Sequence, residues 1–386
     1  MPVFEKRDMD QPQFCYVLTT TGRDVFGDMT YASVQFLRYA HPEAQIICLC
    51  DAQSHRALES MRHPLLEAVD RAEPVVTPDG SAGHRNRFIK TQMRQIVQGD
   101  FVYFDSDTVV VDRVDEMFAC PAPMAGIPNF SGTGDPSEIC AKERDVFAIM
   151  GWPLPRRPFI NGGVLLLRDC EPTHNFARLW HDKWRAWSSR GRHADQQSLN
   201  SALAESGIDY AVLGNRFNGQ VNQRPSLCLE PIAVWHYYSS QNGVPGLVIP
   251  RTILHEAIAR FRAKGRLTPD MIREMRQWPY PWYTPTALDR WYVKRFVWCK
   301  NDIGFESSSR YWLAGHRRQA LMKYLRWRLF EQPSEKRIRR AIAEAMEQKS
   351  EVAGSDCTDE LASTQPPPSA PGRVTSLSPL SSAGVG

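Results

Sequence analysis

Two carboxylates one residue apart, Asp105 and Asp107, interrupt an otherwise apolar run from Phe101 to Val111. At that spacing both can face one divalent cation. Hard oxygen donors suit Mg²⁺ or Mn²⁺, ions that keep coordination positions for the phosphate oxygens of a substrate. The chemistry implied is that of a phosphorylated partner. On these residues alone a strand followed by a solvated turn fits as well, because Asp and Ser are common turn residues.

A cleft for those carboxylates needs elements to build it. Phe14 to Thr20 reads as a buried strand, Phe26 to Tyr39 has apolar residues at helical spacing, and Ile46 to Cys50 returns as a strand. This is a β-α-β opening. Arg87 to Val97 reads as a further helix, closed by Gly99 and followed at once by the acidic strand. Further on come a short strand over Met124 to Pro128, a Gly/Ser/Pro-rich loop to Pro136, and a strand over Phe159 to Arg168 entered through Asn161, Gly162 and Gly163. A helix over Asn175 to Trp187, another opening at Ala194 to Asn200, and a last core strand over Ala233 to Tyr238 complete the series. Alternation of this kind predicts an α/β fold, a mainly parallel sheet covered by helices. Ligands of such sheets collect outside the carboxyl ends of the strands. Thr19, Thr20, Asp105 and Asp107 all sit at such ends, so one crevice is expected to contain them, with Gly162 and Gly163 letting backbone approach a ligand.

The 386 residues suffice for a full enzyme, and 47 Lys and Arg against 43 Asp and Glu leave a charge of +4, too little to argue for nucleic acid. The nine cysteines show no C-x-x-C pair and no regular spacing, which points away from zinc fingers and disulfide frameworks and toward a reducing, cytoplasmic setting. The first residues lack the apolar segment of a secretory signal, and no stretch approaches the ~20 apolar residues that span a bilayer. We expect a catalytic domain over residues 1–250, a helical extension over 251–348 and a disordered tail over 349–386, the tail being rich in Pro and poor in large apolar residues. The extension interleaves Trp278, Trp282, Trp291, Trp298, Trp312 and Trp327 with basic residues; Trp291 to Ala345 holds 13 Lys and Arg against 5 Asp and Glu. Two readings stay open: peripheral contact with an anionic membrane through residues 286–345, or a helical cap with solvated charges packed on the core.

Taken in order, the strand Val17 to Thr20, the helix Arg87 to Lys90, the Tyr103 to Thr108 acidic motif with Val114 to Phe118, the Asn161-Gly162-Gly163 step, Asp195-Gln196 with Leu199-Asn200, and Trp235-His236 resemble glycosyltransferase family 8. That family includes glycogenin and bacterial lipopolysaccharide glucosyl- and galactosyltransferases. The resemblance covers about residues 14 to 245. It implies a GT-A fold and transfer of a hexose from a nucleotide-diphosphate donor, usually UDP-linked, to a hydroxyl acceptor on a glycan, lipid-linked saccharide or protein, with retention at the anomeric carbon. By the same resemblance Asp105, Asp107 and His236 hold Mn²⁺ or Mg²⁺, while Thr19, Thr20, Arg87, Lys90, Ser106, Asn161 and Gly162 bind the donor. Asp195 and Gln196 are the catalytic candidates beside the anomeric carbon. One departure stands out: glycogenin-like members follow the His with a stretch containing a diphosphate-binding Lys, and Tyr237 to Gly246 has none. Arg251 or another basic residue of the extension is a candidate replacement. Two rival readings remain: a haloacid-dehalogenase-type phosphatase with Asp105 as nucleophile, and a sugar-nucleotide-binding protein without turnover.

Overall fold

The computed structural model describes residues 11–129, 141–155, 158–220, 231–237, 252–278 and 317–326. The chain divides into two compact units, residues 1–328 and 329–386, and every described residue lies in the first. Arg251, the Tyr238 to Gly246 stretch, and the tryptophans of the extension other than Trp278 fall outside the described residues.

In chain order the strands are β1 (Gln13–Leu18), β2 (Gln45–Asp51), β3 (Arg71–Val75), β4 (Phe101–Phe104), β5 (Thr108–Val110), β6 (Met124–Pro128), β7 (Ile160–Leu167), β8 (Tyr210–Val212), β9 (Gly219–Gln220) and β10 (Val234–His236). The helices are α1 (Val25–Ala40), α2 (Ala52–Ser60), α3 (Leu65–Ala68), α4 (Ala82–Ile96), α5 (Asp115–Phe118), α6 (Ala141–Met150), α7 (Glu171–Ser188), α8 (Gln196–Ser206), α9 (Ile253–Lys264), α10 (Pro269–Arg276) and α11 (Arg317–Arg326). Seven strands form the main sheet in the order β3-β2-β1-β4-β7-β6-β8. Only β7 runs against the others, pairing antiparallel with both β4 and β6. The fold class is the α/β architecture that the alternating pattern predicts.

Both faces of the sheet are buried, which is why its strands read as continuous apolar runs. Phe14, Tyr16 and Leu18 of β1 enter one apolar layer, with α1, α9 and α10; Cys15 and Val17 enter the other, with α4, α7 and α8. Trp180 of α7 is 1 % exposed, a burial that contributes ~2–3 kcal/mol. Its indole N–H donates to the Asp195 carbonyl at 3.2 Å, so the helix that fills the core also fixes the residue before α8. Asn200 does the same from within α8, exchanging hydrogen bonds with both backbone groups of Ile160.

The sequence reads Phe101 to Val111 as one strand with an acidic interruption. The structure instead breaks it into two strands belonging to different sheets. β4 lies in the main sheet, and β5 leaves it to form a three-stranded sheet in the order β5-β10-β9. Asp105, Ser106 and Asp107 are the three residues of the crossing. The last core strand expected over Ala233 to Tyr238 is β10, and it joins this second sheet. Its antiparallel register sets His236 opposite Thr108, one residue from Asp107. Helix α4 begins five residues earlier than the apolar periodicity suggests, because Ser81 caps it through a hydrogen bond from the His84 N–H. No helix among the described residues is long and apolar enough to cross a membrane.

Candidate active site

Strand order explains why distant motifs meet. Because β7 is antiparallel to β4, the start of β7 lies beside the carboxyl end of β4, and the Asp105 N–H donates to the Gly163 carbonyl at 2.8 Å. The second sheet then delivers His236. One ligand atom each from Asp105, Asp107 and His236 lie within 4.8 Å of one another. His236 Nε2 is 3.1 Å from Asp107 Oδ1 and 3.9 Å from Asp105 Oδ2. Two carboxylates and an imidazole form a donor set that suits Mn²⁺ or Mg²⁺, and three protein ligands leave positions for substrate oxygens. Gly163 makes the approach possible: a Cβ there falls 2.3 Å from His236 Cε1 and 2.9 Å from Asp105 Oδ2. The residues present therefore fit a divalent cation.

Lys90, from α4, is 2 % exposed and reaches two carboxylates, Asp105 Oδ1 at 2.9 Å and Asp195 Oδ2 at 3.3 Å. Tyr103 also donates its hydroxyl to Asp105 Oδ1, and Lys90 Nζ lies 5.0 Å from the Tyr103 ring centroid. One oxygen of Asp105 is thus held by two donors while the other faces His236. Burial works against ionisation of Asp105, but Lys90, His236 and Arg87 outweigh it and Asp107, holding the carboxyl below the ordinary Asp range. Burial and the neighbouring Asp105 charge push the Tyr103 phenol well above its usual value, so it remains a donor.

Arg87 Nε binds Asp195 Oδ1 at 2.8 Å, and the Asp195 charge keeps the guanidinium firmly protonated despite its burial. Asp195 Oδ2 is buried without a hydrogen bond and has only the Lys90 ammonium near it. Gln196 Oε1 accepts from the Asn161 side-chain amide and the Gly162 N–H, both at 3.4 Å. Ser106 accepts from Thr30 of α1 at 2.8 Å, a bond that holds the acidic crossing against that helix.

The structure brings Asp105, Asp107, His236, Lys90, Arg87, Asp195, Asn161, Gly162 and Gln196 into one connected group. Thr19 and Thr20 belong to a different set of bonds. Thr19 donates to the Ala82 carbonyl at 3.0 Å, at the start of the helix that carries Arg87 and Lys90. Thr20 donates to Asp24 at 2.6 Å and accepts from Gly22, shaping the turn that caps α1. Sequence reasoning missed Tyr103 and, more consequentially, Asn218, whose Oδ1 lies 2.9 Å from His236 Nδ1. Asn218 precedes a two-residue strand, and Asn-Gly there reads only as a turn.

A second group, His41, Glu43 and Asp115, also gathers within 4.8 Å. Its imidazole is committed elsewhere: His41 Nε2 accepts from the Val114 N–H at 3.0 Å. Arg113 pairs with both carboxylates.

No protein-family model matches the chain, and no curated protein matches it. Among solved structures, the chain is similar to the glycosyltransferase GlyE of Streptococcus pneumoniae TIGR4, with 13 % identity and a TM-score of 0.46 over 72 % of this chain and 66 % of that one. It is similar to the galactosyltransferase LgtC in complex with donor and acceptor sugar analogues, with 15 % identity and a TM-score of 0.42 over 72 % of this chain and 99 % of that one. It is also similar to the bifunctional glycosyltransferase WbbM, with 16 % identity and a TM-score of 0.44 over 71 % of this chain and 52 % of that one. The chain thus spans less than two thirds of the length of GlyE and about half of WbbM.

Proposed function

We propose that this chain is a GT-A-type, metal-dependent glycosyltransferase that moves a hexose from a nucleotide-diphosphate sugar, UDP-linked, to a hydroxyl acceptor with retention. The observation that carries this reading is the convergence of Asp105, Asp107 and His236 where β4 leaves the main sheet, next to a buried Lys90–Asp195–Arg87 group. Asp105, Asp107 and His236 would hold Mn²⁺ or Mg²⁺. Such a cation supplies Lewis-acid neutralisation of the charge that develops on a departing diphosphate.

The chain's own residues supply the rest. Lys90 and Arg87 place two fixed positive charges beside the acidic crossing, and their ion pairs hold them in position before any substrate arrives. Asp195 Oδ2, buried and lacking a donor, is suited to accept from a sugar hydroxyl that has lost its water. Gly162 leaves the space over Asp195 and Lys90 open, since a Cβ there would lie 3.5 and 3.6 Å from them. Asn161 and Gln196 read further hydroxyls as amide donors and acceptors. The acceptor is a glycan, lipid-linked saccharide or protein hydroxyl, and the basic segment over residues 286–345 is the part of the chain suited to peripheral membrane contact. A cytoplasmic setting belongs to the same proposal.

The phosphatase alternative needs a later acidic pair to complete its metal group; the third member of the described cluster is an imidazole. The test is a panel of nucleotide-sugars incubated with Mn²⁺, read as nucleoside diphosphate release, alongside phosphomonoesters read as phosphate release. Release of UDP that requires the metal is expected. Phosphate release from phosphomonoesters, or silence across the whole panel, contradicts the proposal.

A further inference from the structure

The bonds behind His236 have a direction, and one backbone group sets it. The Gly163 N–H can only donate, and it donates to Asn161 Oδ1 at 2.9 Å. The atom of Asn161 at that position is therefore its oxygen, and its side-chain NH₂ turns the other way, toward Asn129 Oδ1 at 2.9 Å. Asn218 also reaches Asn161 Oδ1, at 3.0 Å, and must do so with its NH₂. Its remaining atom, Oδ1, then faces His236 Nδ1 at 2.9 Å. An amide oxygen only accepts, so His236 Nδ1 carries the proton. Neutral imidazole has a single N–H, which leaves the Nε2 lone pair pointing at Asp107 and Asp105. Asn218 and Asn161 are 0 % and 2 % exposed, so water has little access to exchange these roles.

On the reading of this group as a cation site, we propose that Asn218 is a positioning residue: through a hydrogen-bond chain anchored on the Gly163 N–H, it holds His236 in the Nδ1–H tautomer with Nε2 free to bind a metal. Asn218 touches no reacting atom. Its effect passes entirely through His236, in the way that outer-shell partners of metal-binding histidines fix the ring and raise its basicity. Losing such a partner costs about 10- to 100-fold in metal affinity.

The test uses full-length protein with ¹⁵N-labelled histidine, stripped of metal and held where the imidazole is neutral, with the His236 resonances assigned by H236A. The expected pattern is a protonated Nδ1 and an unprotonated Nε2. An Nε2–H tautomer, or an even mixture, in the wild-type protein overturns the proposal. Asn218→Leu is expected to release the tautomer and weaken Mn²⁺ binding, measured by titration calorimetry, about 10- to 100-fold. Asn218→Asp, which keeps an oxygen against Nδ1, is expected to keep the tautomer and to bind within a few-fold of wild type. A merely structural Asn218 predicts equal losses for both variants, a result that overturns the proposal. Should Asn218→Leu fail to fold, the wild-type spectrum decides. Neither readout uses a sugar nucleotide: a correct tautomer without any Mn²⁺ binding removes the cation reading and leaves the hydrogen-bond chain standing.

Discussion

Two clusters in this molecule contain the same ingredients, two carboxylates and one buried imidazole within 4.8 Å, and they are wired in opposite senses. At His41, Nε2 accepts from a backbone N–H, so the proton sits on Nδ1 and points at Glu43 and Asp115, 3.7 and 3.9 Å away. At His236, Nδ1 meets the oxygen of Asn218, and it is the lone pair of Nε2 that faces Asp107 and Asp105. The carboxylates differ as well. Glu43 and Asp115 are about two-fifths exposed and already neutralised by Arg113, whereas Asp105 keeps one oxygen toward His236 while Lys90 and Tyr103 hold the other. Composition and proximity do not make a cation site. The partner of the far ring nitrogen, and whether the acids are already paired, decide between a metal-ready cluster and a structural one.

The largest effect that separates the two clusters should come from removing one carboxylate of each. Asp107→Ala is expected to abolish measurable Mn²⁺ binding and to lower nucleotide-sugar turnover by ~10³-fold or more, since metal stabilisation of a leaving charge is worth several kcal/mol. Asp115→Ala should leave both unchanged. Equal effects in a UDP-release assay would erase the distinction.

The next effect concerns the cations behind the acids. Lys90→Met leaves Asp105 and Asp195 buried without their shared ammonium and should destabilise the fold by ~3–5 kcal/mol, seen in urea unfolding. A loss under ~1 kcal/mol would mean that water reaches this group. His41→Leu tests the other cluster: the Val114 N–H loses its acceptor, at a cost of about 1–3 kcal/mol, while Mn²⁺ affinity stays at the wild-type value.

The smallest effect is that of Arg113→Ala. Its pairs are half-exposed, so it should cost no more than ~1 kcal/mol at neutral pH and less in 1 M salt. The sign with pH follows from the carboxyls. The hydrogen bond from Arg113 is the main cause that holds Asp115 and Glu43 below their ordinary values. Their contribution is therefore present above the unfolded carboxyl range, about pH 4, and is lost as pH falls through the folded values. Wild type and variant should converge in stability near pH 3; a gap that persists there contradicts the assignment.

Much of the frame was legible in the residues. Continuous apolar runs at Phe14 to Leu18 and Ile46 to Cys50 announce strands buried on both faces, and the acidic pair at the end of such a run marks the carboxyl edge. What was not legible depends on pairing. Nothing between Phe101 and Val111 says that the chain changes sheets at Asp105 to Asp107, because both flanks are equally apolar. That change is what brings His236 opposite Thr108. Lys90 reads as a plausible solvated helix residue; its burial follows from Asp105 and Asp195, which arrive from two other elements. Asn218 gave no signal, since a single amide before a two-residue strand has no pattern to display. Thr19 and Thr20 show the opposite case, plausible at a strand end yet committed to Ala82 and Asp24.

Anomalous diffraction at the manganese edge, from crystals grown with Mn²⁺ and UDP, tests the central claim most directly. The account predicts a peak between Asp105, Asp107 and His236, bridged to the diphosphate. A peak beside His41, or nucleotide bound with no metal between the acidic pair and the imidazole, would contradict it.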